Sequence, residues 1–269
     1  MNVFPMENVH YRKIRFYMDN LANQIKYDNV SSGKLNVYFL GQAGFVIKTP
    51  DGKTVAVDPY LSDCCNRYFG FKRLMPYVLS AGEIDFDYLL ISHAHYDHFD
   101  PDSVPALMQN GVTKGFFAKD CEKEAKRLNL SKNLTYLDIG DEVCLDGGIK
   151  VTAYNCDHGK DTPYALGFII EAENKKIYVA GDTKYREDYF SSEKVAGADL
   201  FIFPINGAFG NMNGAEGAKA ASVVKSKLSV PCHYWNFAEH FGDPYSFMTE
   251  AKNSGVKYLL MRQGEKITL

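Results

Sequence analysis

A chain of 269 residues, 46% of them hydrophobic, exceeds the usual single-domain size but suits a two-layer α/β sandwich that folds as one unit. Its formal charge is −3 and its basic residues are scattered, which argues against a broad nucleic-acid groove while leaving small anionic substrates open. Apolar runs stop short of the roughly 18 residues a membrane span needs, and no basic and apolar leader opens the chain, so a cytoplasmic protein is expected.

Residues 10–28 have amphipathic helical spacing, with Ile14, Tyr17, Met18, Leu21 and Ile25 along one side. Residues 1–33 therefore read as an N-terminal helical extension, packed on its own subunit or on another, ahead of a single domain at 34–269. Strand-like runs follow at 35–40, 43–48 and 54–58, with Gly41 and Asp51-Gly52 as turn signals. The 60–80 segment is too irregular to assign. Tyr88–Ser92 reads as a buried strand. Asp100-Pro101 resembles a helix cap and first-turn proline, with Pro105 as an obstacle to that helix. The 119–127 stretch, with acids between its Lys and Arg residues, fits a solvated helix face. Strands are then expected at 150–155, 165–172, 175–180 and 199–205, and a helix near 215–228. The run at 228–232, which contains Pro231, is the weakest strand assignment. Asp243-Pro244 opens a last helix that Gly255 ends. Strands cluster in each half and outnumber helices, which predicts an αββα sandwich of two mixed sheets flanked by helices.

The most informative segment is His93-Ala94-His95-Tyr96-Asp97-His98. His93 and His95 lie two apart, so on extended backbone their rings point the same way and can chelate one cation. Asp97 and His98 follow where the chain turns and can reach a second. Further metal-type side chains come where later strands give way to loops: His158, Asp182 and His233. A rigid scaffold presents ligands at one open edge in this way. These use five of the seven histidines; His10 and His240 read as surface or partly packed rings. The six cysteines form no Cys-x-x-Cys pair and read as reduced thiols, with Cys156 and Cys232 assigned to packing rather than metal.

These residues resemble the metallo-β-lactamase superfamily of binuclear hydrolases, whose His-x-His-x-Asp-His signature is matched at 93–98. The resemblance, which runs from about Asn36 to the C-terminus, implies a first metal site of His93, His95 and His158. It implies a second of Asp97, His98 and His233, with Asp182 bridging and Asp58 bracing the metal loop. The segments 57–63, 72–76, 204–213 and 231–234 also look like the L-ascorbate-6-phosphate lactonase-like branch. Two divalent cations are expected, Mn(2+) or Zn(2+), with Fe open; the branch resemblance favours manganese in the cell. That branch also implies a homo-oligomer.

Two cations side by side can lower the pKa of a shared water and polarise a carbonyl or phosphoryl oxygen. Asp97 is the expected catalytic residue, orienting the nucleophile. The leading expectation is a hydrolase opening a small, phosphorylated sugar-acid lactone; the alternative is a metal-dependent phosphodiesterase or ribonuclease. A structural protein that kept only the fold fits least, because the ligand set is whole. Candidate substrate contacts are Lys72 and Arg73 for an anion, with solvated surface charge as the competing reading. Asn206, Asn211 and Asn213 are candidates for hydroxyl or phosphate oxygens, and Tyr164 and Trp235 for the apolar wall.

Overall fold

The computed structural model describes residues 21–269. Two mixed β-sheets face one another across the main core. The first is seven-stranded, in the order β13-β1-β2-β3-β4-β5-β6. Its strands are β1 (Asn36–Gly41), β2 (Gly44–Lys48), β3 (Thr54–Val57), β4 (Tyr88–Ile91), β5 (Lys114–Ala118), β6 (Leu134–Leu137) and β13 (Lys266–Thr268). From β3 to β6 the neighbours run parallel; β13, β1, β2 and β3 pair antiparallel. The second sheet is six-stranded, in the order β12-β11-β10-β9-β8-β7. It comprises β7 (Glu142–Leu145), β8 (Ile149–Asn155), β9 (Leu166–Ala172), β10 (Lys175–Val179), β11 (Leu200–Pro204) and β12 (Ser229–Cys232), the last three mutually parallel.

Every residue of β1, β4 and β11 is buried, as expected of strands covered on both faces, where apolar runs replace alternation. The inner faces supply Val37, Phe45, Leu90, Val151, Phe168 and Ile202 to the main core. On the outer face of the second sheet, Phe201 and Phe203 meet Ala218, Ala221 and Phe247. These come from helices α6 (Gly214–Val224) and α7 (Pro244–Asn253), which pack together. On the other side, α3 (Ser103–Met108) sends Val104, Leu107 and Met108 into the core. The four layers make the predicted αββα sandwich.

Differences from the expectation are local. Of the expected N-terminal helix, only α1 (Leu21–Tyr27) lies within the described residues; Ile14, Tyr17 and Met18, and His10, lie outside them. Leu21 and Ile25 are buried in this chain's own core, and the Lys48 ammonium donates to the Lys26 carbonyl at 3.0 Å. The described turn of helix thus packs on its own subunit. Helix α2 (Cys64–Phe69) stands inside the unassigned 60–80 segment and stops at Gly70, whose φ of 77° lets it close the turn left-handed. Pro105 sits in the first turn of α3, where no intrahelical N–H is required, so it does not obstruct the helix. The 119–127 stretch begins as a 3-10 turn and continues as α4 (Glu122–Arg127). The weak strand at 228–232 is real: β12 is an edge strand, where a proline removes no needed ladder donor. Strands β5, β6, β7 and β13 were not anticipated. A short α5 (Glu187–Phe190) completes the set.

Candidate metal centre

The parallel strands of both sheets end along one edge, and the metal-type side chains follow those ends. Asp58 comes directly after β3, His93 after β4, His158 after β8, Asp182 after β10 and His233 after β12. Ligand sites in open α/β sheets commonly lie outside the carboxyl ends of parallel strands. Local backbone at this edge is unusual. Gln42, Asp58, His233 and Trp235 all have positive φ, between 44° and 58°. Such values in bulky residues require tertiary contacts to hold them, and they concentrate at functional sites. Gly181 has φ 67°, and a Cβ there would stand 2.5 Å from the Leu166 carbonyl oxygen, so the turn presenting Asp182 demands glycine.

Three overlapping groups of side chains converge there: His93 with His95 and His158; His93 with His98 and Asp182; and Asp97 with His98 and His233. Within each group the candidate ligand atoms lie within 4.8 Å of one another. His95 Nδ1 is 2.9 Å from His93 Nε2 and 3.1 Å from His158 Nε2. Asp97 Oδ2 is 3.0 Å from His233 Nε2 and 3.6 Å from His98 Nε2. The two oxygens of Asp182 reach in different directions. Oδ1 is 3.3 Å from His98 Nε2, while Oδ2 is 3.2 Å from His233 Nε2 and 3.7 Å from His158 Nε2. Asp182 is thus the residue that touches both halves of the cluster.

The surrounding contacts orient these rings. Asp58, fully buried, accepts from the Ser92 amide at 2.8 Å and the Ser92 hydroxyl at 2.6 Å, and lies 2.8 Å from His98 Nδ1. The same Ser92 hydroxyl is 3.0 Å from His93 Nδ1. A carboxylate on Nδ1 fixes the tautomer that turns the Nε2 lone pair of His98 into the cluster. Asn211 donates to Asp182 Oδ2 at 2.7 Å.

The electrostatics divide the cluster. Burial, helped by the imidazole of His98, holds His93 well below the usual histidine range, and burial likewise lowers His158. Both are therefore neutral donors. Burial alone would lower His98 and His233 too, yet Asp182 and Asp97 push His98 well above that range and His233 to about 9. Burial would raise the carboxyls of Asp97 and Asp182, but the same two imidazoles hold both well below the ordinary range. The carboxylates thus remain ionised in a buried pocket and draw positive charge to it. His98 Nε2 and Asp182 Oδ1 are buried and face each other, yet neither has a hydrogen-bond partner among the described residues. Buried polar atoms are rarely left so. Neutral imidazoles at His93 and His158, with ionised Asp97 and Asp182 that draw positive charge into a buried pocket, together fit divalent cations of the zinc, manganese or iron type.

The other expected contacts are placed less uniformly. Asn206 is buried with both side-chain polar atoms unpartnered. Asn211 is spent partly on Asp182, and its oxygen is unpartnered. Asn213 instead caps α6: it accepts from the Glu216 amide at 3.0 Å, and Glu216 accepts in return from its own amide at 2.9 Å. That reciprocal box engages its carboxamide oxygen. Lys72 is exposed. The Arg73 guanidinium stacks over Tyr60 at 4.3 Å and donates to the carbonyls of Ser62 at 3.4 Å and Met75 at 3.3 Å, so it braces its own loop. Tyr164 and Trp235 are both about half exposed, at 48% and 57%. Cys156 donates its thiol to the Asp182 carbonyl and Cys232 is buried, and neither belongs to a metal-type group.

Sequence reasoning missed three residues. Ser92 ties Asp58 to two ring nitrogens. Gln42 lies in the β1–β2 turn, and its amide donates to Asp97 Oδ2 at 2.8 Å and sits 2.9 Å from His233 Nε2. His240 packs its ring 6.0 Å from that of His233. A polar Gln between Gly41 and a buried Ala43 was the available signal for the second of these.

Comparison with known proteins agrees with this geometry. A family profile described as "Beta-lactamase superfamily domain" matches residues 53–234, which hold every candidate ligand. A UPF0173 metal-dependent hydrolase of Polaromonas sp. is 31% identical over 263 residues, covering 88% of this chain and 90% of its own. Another from Thermus thermophilus is 30% identical over 243 residues, covering 87% and 99%. Among solved structures, Igni18, a metallo hydrolase from Ignicoccus hospitalis, superposes with a TM-score of 0.68 at 23% identity, over 88% of this chain and 98% of its own. The profile spans more than half of the chain and the two relatives cover most of it, and the chain therefore belongs to the metal-dependent hydrolases of the metallo-β-lactamase superfamily, alongside the UPF0173 proteins.

Proposed function

We propose that the protein is a binuclear hydrolase that cleaves carboxyl esters or lactones. In this reading His93, His95 and His158 hold one divalent cation, Asp97, His98 and His233 hold a second, and Asp182 is shared. The observation that carries it is the reach of Asp182, whose two oxygens face His98 on one side and His158 and His233 on the other. When bound, such a pair of cations supplies a water of lowered pKa and a polarised scissile oxygen.

The chain's own residues do the positioning. Asp58 and Ser92 fix the tautomers of His98 and His93, and Asn211 orients the shared carboxylate. Asp97, less buried than Asp182, is the carboxylate best placed to orient an incoming water. A carboxyl centre is favoured over a phosphodiester because the Arg73 guanidinium that could have met a phosphate gives Nε and Nη1 to loop carbonyls and stacks on Tyr60.

The test is a panel of lactones, thioesters and bis-p-nitrophenyl phosphate, assayed with manganese and zinc separately. Turnover of lactone or ester is expected, with Asp97→Ala lowering kcat by about a hundredfold or more, as loss of a group that orients the nucleophile does. Faster cleavage of the phosphodiester than of every carboxyl substrate would overturn the reading. So would an Asp97→Ala protein of near wild-type activity.

A further inference from the structure

A run of aromatic rings leads from the surface to the metal-type cluster. Tyr68 and Phe69, both 54% exposed, pack on Tyr96, within the ligand motif, at 4.9 and 5.6 Å between centroids. Phe69 meets Phe71 at 5.9 Å, and Phe71 meets Phe209 at 5.9 Å and His240 at 4.9 Å. Phe209 in turn stands 5.0 Å from His240, whose ring is 6.0 Å from His233. We propose that this wall seats an apolar acyl or aryl group of the substrate, and that His240 hydrogen-bonds a polar atom at the inner end of that group. The inference rests on the carboxyl-ester or lactone reading above and narrows it, away from a compact sugar phosphate.

Three features support it. Phe209 is 64% exposed and has φ 53°, a left-handed conformation unfavourable for a bulky residue. Its loop therefore holds an aromatic ring out in water at a conformational cost, where folding alone would tuck it away. Exposed apolar surface of this continuity marks interaction sites. Second, both ring nitrogens of His240 are buried without a hydrogen-bond partner among the described residues. A neutral imidazole carries one donor and one acceptor, and orphaned ones need an explanation. A substrate carbonyl, ring oxygen or hydroxyl supplies it. Third, the run of rings ends on His240, whose ring lies beside a candidate ligand, so a group seated on it is led to the cluster.

The test uses the full-length, metal-loaded protein and γ-lactones whose side chains lengthen from none to six carbons. For wild type, kcat/KM should rise about two- to fourfold per methylene until the wall is covered, the gain expected of a CH₂ partly or fully removed from water. Phe69→Ala and Phe209→Ala should flatten that slope. His240→Phe keeps the ring packing and should instead lower kcat/KM about tenfold at every chain length with the slope intact, the loss of one hydrogen bond to substrate. A flat wild-type slope, or a slope unchanged in both alanine variants, overturns the apolar seat. A change in oligomeric state by light scattering in those variants, with the slope unchanged, assigns the wall to a second copy and also overturns it. Wild-type rates in His240→Phe remove the polar end. If no ester or lactone is turned over at all, the carboxyl-ester and lactone reading fails and calorimetry decides the seat separately. Tighter binding of octanoate than of acetate, lost in Phe209→Ala, upholds it; equal binding refutes it.

Discussion

Asp58→Asn is the sharpest test of how the site is built, because it changes one atom in a fully enclosed place. Asp58 Oδ1 takes the Ser92 amide at 2.8 Å, while Oδ2 takes the Ser92 hydroxyl at 2.6 Å and faces His98 Nδ1 at 2.8 Å. An asparagine can accept at only one of those places. If its oxygen stays on the Ser92 amide, its NH₂ faces His98 Nδ1, and the ring must shift its proton to Nε2. That removes the lone pair directed at Asp182 and Asp97. If the amide flips, the Ser92 N–H is left against another donor in a buried pocket. Each alternative strands one buried polar group, at about 1–3 kcal/mol, and it also discards a charge-assisted contact. In metal affinity, loss of such a supporting partner costs about 10- to 100-fold. Chelator competition on wild type and Asp58→Asn measures this directly, with thermal unfolding of the chelator-treated proteins as the stability control. The weaker site should be the one served by His98, with the His93–His95–His158 site less affected. Wild-type affinity at both sites would show that Asp58 does not set the His98 tautomer.

Asp182→Asn should reduce occupancy of both cations, since it removes the one carboxylate that reaches both halves of the cluster; elemental analysis checks it, and a mutant that keeps one tight ion contradicts the shared role. Ile25→Ala should destabilise the protein by about 2–5 kcal/mol in denaturant titration, because Ile25 is completely buried in this subunit's own core. A homo-oligomer is expected from the branch resemblance, so light scattering of the full chain and of a version starting at Lys34 tests whether the N-terminal segment serves assembly; a full-length monomer ends that idea. Asp87 gives the pH prediction. Burial would raise its carboxyl, but Lys53 and the Thr54 amide and hydroxyl outweigh that and lower it. A depressed carboxyl contributes stability that is present above its unfolded pKa of about 4 and is lost as pH falls through its folded value. Asp87→Asn should therefore be less stable at pH 7, with the gap from wild type closing under acid; a gap that persists unchanged below pH 3 would refute the assignment.

The sequence was most readable where one local rule decided the outcome. The ligand motif follows β4 because a wholly apolar Tyr88–Ile91 run can only be a covered strand, and Asp243-Pro244 opens α7 because an Asx cap and an N1 proline leave little alternative. Strands β5, β7 and β13 carried weaker signals. β5 contains a glycine, and β7 and β13 are short, polar and partly exposed, so their identity comes from pairing partners distant in sequence. The same limit governs the site. Gln42 reaches Asp97 only because the β1–β2 turn lies beside the end of β12, where the His233 amide donates to the Gln42 carbonyl at 2.8 Å. No period or motif within either segment specifies that meeting.

His240 and Arg73 show the same physics with opposite results. Both lie in segments without a regular period; in sequence the arginine reads as a candidate anion contact or a solvated charge, and the histidine as a surface or partly packed ring. The fold sets the surroundings of both. The bridge between Arg73 and Phe237 draws the two loops together, with the Leu74 amide on the Asn236 carbonyl at 2.8 Å. That pairing turns the guanidinium back onto Tyr60 and loop carbonyls. It also sets His240 among Phe71, Phe209 and Phe237, with its nitrogens unpartnered beside His233. The guanidinium gives Nε and Nη1 to its own loop and keeps only Nη2 unpartnered, whereas neither nitrogen of the half-buried His240 ring has a partner among the described residues. The ring contacts on which the proposed apolar seat depends are therefore ones that only tertiary structure brings together.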